Sequence, residues 1–135
     1  ALTWSEEKGE YEFGLQLAAN LWQFWYVRGR QRTGRFWFER LLAKADQGTS
    51  AAVRARGLNN LGNFALDMSD FNVAQTAYEQ SLALRREIGD RLGEGDTLNN
   101  LGILSACRSD FALELRYLQQ AVALYQTGGH KPRLA

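Results

Sequence analysis

The chain has 135 residues, 16 Lys and Arg against 15 Asp and Glu, 45% hydrophobic residues, one cysteine and one proline. That length fits a single domain, and a formal net charge of +1 gives no whole-molecule attraction to nucleic acid or to an anionic membrane, so any such contact must come from a local patch. One cysteine cannot close an intramolecular disulfide, no apolar run approaches a membrane span and no signal peptide opens the chain, so a reducing, cytoplasmic setting is expected.

At the amino end, Leu2 and Trp4 suit a short helical cap over residues 1–9, and Gly9 marks a break. A helix is expected from Glu10 to Arg28, then a turn, then a helix that Thr33 caps and that runs to about Lys44. The next opens at an N-cap of Thr49 or Ser50 and runs from Ala51 to about Met68, with Leu58, Leu61, Ala65 and Met68 returning on one face at helical spacing. Asp70 then caps a helix from Phe71 to about Glu87, stopped by Gly89. The short connector between these two forces them antiparallel. Asp90 opens a helix to about Arg108, its first turn weakened by Gly93 and Gly95. Phe111 to Tyr125 forms the last, stopped by Gly128-Gly129. No alternation of period two is long enough to predict a strand.

The elements repeat. Leu58-Asn59-Asn60-Leu61-Gly62 returns letter for letter as Leu98-Asn99-Asn100-Leu101-Gly102, an offset of 40 residues. At the same offset Ser69-Asp70-Phe71 returns as Ser109-Asp110-Phe111, and Gly89 as Gly129. A diverged copy lies upstream, where Asn20-Leu21 answers Asn60-Leu61 and Phe38-Glu39 answers Tyr78-Glu79. One period repeated over the chain signals stacked supersecondary units, here helical hairpins at 10–48, 49–89 and 90–128, with 129–135 as a tail or the start of a truncated further unit. Each hairpin leaves part of its apolar face for a neighbour to cover. Gly62 and Gly102 sit where the paired helix crosses, opposite small residues such as Ala74 and Ser81, while Phe38, Tyr78 and Leu118 fill one equivalent position.

These residues resemble the tetratricopeptide repeat, whose pattern sets a Leu-Gly pair in the first helix and a small residue, an aromatic and another small residue in the second. The second unit matches with Leu61-Gly62, Ala74, Tyr78 and Ser81, the third with Leu101-Gly102 and Ala121. The third departs at Glu114, where a small residue is expected, and at Leu118, where an aromatic is. The first has Trp22 for the glycine, with Gly34 as the small residue opposite. The resemblance implies an all-α, right-handed solenoid of three hairpins with a short amino-terminal cap, acting without catalysis by binding protein or peptide. The usual unit is 34 residues. The longer unit, its Ser81 to Asp90 junction and the stretch from Phe24 to Arg40 are similar to the carboxy-terminal arrays of large bacterial transcription regulators of the LuxR type and related signalling ATPases. That likeness implies a segment of a larger regulator that takes a peptide, a partner domain or a small-molecule effector along its concave face. It also implies that the natural chain continues, since Gly129-His130-Lys131 stands where Gly89-Asp90-Arg91 opens a unit. The last helix then exposes an apolar face that favours self-association.

In superhelical arrays of this family the first helix of each unit lines the concave groove, and some members hold an extended peptide there with an asparagine ladder. Asn20, Asn60 and Asn100 share one repeat position, and Asn59, Asn63, Asn99 and Gln23 complete the candidate set. An amide side chain offers both donor and acceptor to a peptide backbone, and suits equally the pairing of buried polar groups within the fold. A second cluster, Arg28, Arg30, Arg32 and Arg35, stands beside Trp25, Tyr26, Phe36 and Trp37. Guanidinium groups among rings grip phosphates and stack bases; alternatively the cations complement a helix carboxyl end while the rings are core, or the patch docks another domain. Gly29 to Gly34 has the glycine spacing of a phosphate loop, but Arg35-Phe36 stand where Lys-Ser/Thr is required and no strand precedes. No catalytic residue, cofactor or metal site is expected. The one histidine, His130, is in the tail, Cys107 reads as a small core residue among apolar neighbours, and the two are too few for zinc.

Overall fold

The computed structural model describes residues 2–3, 10, 12, 14–18, 21, 30–44 and 49–127, and among them every regular element is helical. Five helices follow in order: α1 (Gln31–Lys44), α2 (Ala51–Asp67), α3 (Phe71–Glu87), α4 (Arg91–Cys107) and α5 (Phe111–Thr127). Residues 14–18 are also helical. Trp4, Asn20, Trp22, Gln23, Arg28, Gly128-Gly129 and His130 lie outside the described residues.

Local chemistry sets the helix starts. Ser50, Asp70 and Asp90 each accept a hydrogen bond from the backbone N–H three residues on, at 3.4, 3.4 and 3.0 Å, which satisfies a donor that the helix itself leaves open. Asp110 does the same for Leu113 at 3.2 Å. At α1 the expectation fails, because the helix already begins at Gln31 and the Gly34 N–H closes a full turn onto the Arg30 carbonyl at 3.1 Å. Thr33 is therefore inside the first turn.

The helix ends share one device. Ser69, Gly89 and Ser109 take left-handed backbone conformations, φ 61°, 72° and 61°. The following N–H bonds back over the last turn in each case: Asp70 to the Ala65 carbonyl at 2.8 Å, Asp90 to Arg85 at 2.9 Å and Asp110 to Ser105 at 2.8 Å. This closure reverses the chain in three residues, so α2 with α3, and α4 with α5, form antiparallel hairpins.

Each helix packs on the next, and the first helices of the two hairpins, α2 and α4, touch as well, which puts them on the inner side of the stack. The core is consequently a row of side chains between helices rather than one central mass. Phe38, Leu41, Leu61 and Phe64 fill the amino-terminal part, and Tyr78, Leu98, Leu101 and Leu104 the next. Glycines mark the closest approaches. A Cβ on Gly62 would run into the Tyr78 ring, and one on Gly95 would lie 2.7 Å from Tyr125 Cε1. Gly95 is therefore needed by the ring that crosses it, whatever it costs the first turn of α4. Gly34 lies beneath the ring of Phe64, where a Cβ would come within 2.6 Å, so its small size serves the junction with the following hairpin. Cys107 is not the core residue that its sequence neighbours suggest. It ends α4 and is exposed, because helical position, and not its apolar sequence neighbours, decides where it faces.

Candidate interaction surface

The inner face of α2 carries Asn59, Asn60 and Asn63. Their environments differ sharply although they are neighbours in sequence. Asn100 Nδ2 donates to Asn59 Oδ1 at 2.9 Å, joining α4 to α2. Tyr78, a ring from α3 packed over Gly62, donates its hydroxyl to Asn63 Oδ1 at 2.6 Å. Burial pushes that phenol's pKa up, which keeps it a donor throughout the ordinary pH range. Asn60 is 7% exposed and its Nδ2 finds no partner among the described residues. The bond between the two hairpins thus runs from Asn100 to Asn59, 41 positions back, and not to Asn60 at the repeat offset of 40. Asn99 is exposed on α4.

These bonds give the surface a polarity. With their carbonyl oxygens engaged, Asn59 and Asn63 have NH2 groups that take no partner among the described residues. They stand one turn apart on α2, about 6 Å along the axis. In the amino-terminal part of α4, Asp96 Oδ1 accepts from the Tyr125 hydroxyl at 2.5 Å, and the Gly93 carbonyl accepts from Arg85 at 2.7 Å. Burial lowers the Arg85 pKa, while Asp90 and Asp96 pull it back up.

The arginine cluster is divided. Arg30 and Arg32 are exposed. Arg35 is committed: it pairs with Glu39 on its own helix and donates to Asp70 Oδ2 at 2.8 Å, tying α1 to the cap of α3. The hydrogen bonds to Glu39 and Asp70 raise the Arg35 pKa, and Arg35 in turn holds the Asp70 carboxyl below its usual range. Phe36 is half exposed with the Arg40 guanidinium 5.5 Å above its ring, and it meets Trp37 edge to face at 5.3 Å. Phe38 is wholly buried.

Residues 53–127, which form these stacked helical hairpins, match a known family model, the tetratricopeptide repeat. The chain belongs to the tetratricopeptide repeat family. Over 99 residues it is also 35% identical to proteins named as candidate HTH-type transcriptional regulators in Mycobacterium bovis and in two strains of Mycobacterium tuberculosis. The match takes in 67% of this chain and 11% of each relative, so the chain spans about a tenth of their length.

The tetratricopeptide array also has an outer side, which the sequence reading did not single out. Between successive second helices run two equivalent clefts, of about 340 and 360 Å³. Glu39, Leu42, Leu58 and Leu61 line one, and Glu79, Leu82, Leu98 and Leu101, their counterparts one period on, line the other. Neither is lined by the candidate asparagines. Among the described residues no cluster of three His, Cys, Asp or Glu is placed to hold a metal, and no helix is long and apolar enough to cross a membrane.

Proposed function

We propose that this array is the peptide- or protein-binding segment of a larger transcription regulator, and that it grips an extended partner by backbone carbonyls along the inner face of α2. The observation that carries this reading is the donor polarity at Asn59 and Asn63, whose oxygens are engaged by Asn100 and Tyr78. Two donors about 6 Å apart fit the carbonyls that point to one side of an extended chain, which recur at about 6.6 Å. Asn99 adds a further amide beside them. The relatives' names support the setting, a regulator, and the family supports the mode, binding without catalysis.

The test follows from the same valences. A peptide selected on the chain from a random display library is titrated by calorimetry against Asn59→Asp and Asn63→Asp. Each substitution keeps the oxygen that Asn100 or Tyr78 requires and removes the outward NH2. Affinity is expected to fall at least tenfold, about 1.4 kcal/mol, with the thermal midpoint little changed. Unchanged affinity in both variants would reject the inner face as the binding surface.

A further inference from the structure

The outer edge of α5 is the most apolar uncovered surface described. Phe111, Leu115 and Val122, spaced to share one stripe, are 65%, 57% and 37% exposed. The chain supplies its own standard for such a face, since α3 presents the equivalent one and α4 covers it. Leu82, the counterpart of Val122, is 8% exposed there, and the junction is bordered by an ion pair, Arg86 to Glu94 at 2.9 Å.

The face on α5 is built differently. Where α3 has Gln75, Glu79 and Arg86, α5 has Leu115, Gln119 and Gln126. The arginine that borders the α3 junction is thus missing, and the stripe is uncharged. A second difference bears on what can sit there. In the earlier units a small residue, Gly34 or Ala74, makes room for the next hairpin: Gly34 lies under Phe64, and Ala74 shares a core cluster with Leu104. The counterpart in α5 is Glu114. A further unit of the ordinary kind would have to bury its bulky residue against that carboxylate, which is strongly unfavourable without a partner charge.

We propose that this face binds a second copy of the chain, with the two α5 helices packed antiparallel about a two-fold axis. A register centred between Arg116 and Tyr117 sets Phe111 level with the partner subunit's Val122, a large side chain against a smaller one, and Leu115 level with the partner subunit's Leu118. Such isologous pairing requires a patch complementary to itself. The depletion of charge along the stripe fits the core of a protein interface. Arg116 lies off the stripe, and the two-fold puts its two copies on opposite flanks.

Sedimentation equilibrium of the 135-residue chain tests this. At tens of micromolar the mass should be that of a dimer, and Leu115→Glu and Val122→Glu should each give monomers with unchanged circular dichroism, while Ile103→Glu on α4 leaves the dimer intact. A monomeric parent chain, or dimers that survive both α5 substitutions, would overturn the proposal. So would a lengthened chain carrying a following repeat that is monomeric and shields Val122.

Discussion

Gly62 and Gly102 occupy one repeat position, yet the side chains above them set opposite expectations. A methyl at Gly62 meets the Tyr78 ring, which is wholly buried and hydrogen-bonded through its hydroxyl to Asn63. A methyl at Gly102 meets Leu118 Cδ2 at 3.3 Å, and Leu118 is only half buried. Alanine in place of helical glycine gains about 1 kcal/mol of propensity, while overpacking a fixed neighbour costs about 1–3 kcal/mol. Gly62→Ala should therefore lower the urea midpoint, and Gly102→Ala should leave it unchanged or raise it, with a gain in stability of up to about 0.5 kcal/mol. Equal effects would mean that Leu118 is as immobile as Tyr78. The sequence made both glycines visible as close-approach positions, because a repeated small residue opposite a bulky one has few other uses. It did not show which plug could yield, since that depends on burial.

At the scale of helices, the junction of α1 with α3 makes a pH-dependent prediction. Asp70 caps α3 and also receives Arg35, whose hydrogen bond lowers its pKa. A carboxylate with a lowered folded pKa contributes stability above its unfolded value, about 3.9, and loses it as pH falls through the folded value. Asp70→Asn retains a good capping residue but lacks both the charge and the titration. Its thermal midpoint should lie below the parent's at neutral pH, and the two should converge below about pH 4. A constant gap across that range would show that the ion pair contributes nothing. The helix boundaries themselves were largely legible, since caps and left-handed closures are short-range chemistry written in Ser50, Asp70, Asp90 and Gly89. The bond from Asn100 to Asn59 was not, because its step of 41 residues differs from the repeat period and arises from how one hairpin is rotated over the last. The Thr33 cap misled for a related reason. A good capping residue is necessary at many starts but does not exclude an earlier one.

Across the whole molecule, stability should be distributed along the stack, since among the described residues neighbouring helices make most of the contacts and the core divides into two clusters along the array. In such an array each hairpin's stability is its own plus that of its interfaces. The middle helices α2, α3 and α4 are covered from both directions, whereas α5 has one face open. Leu118→Ala removes the plug over Gly102 in the last hairpin and should cost about 2 kcal/mol, the low end for a leucine that is not fully buried. Under native conditions and at concentrations low enough to hold the chain monomeric, hydrogen exchange should then show where that loss is felt. Amides of α4 and α5 should lose protection by about thirtyfold, the factor that 2 kcal/mol represents, while those of α2 change by less than about threefold. An equal loss in α2 would mean that the hairpins open only together. The Phe38 and Phe64 cluster would then be bound to the last hairpin more tightly than nearest-neighbour packing implies.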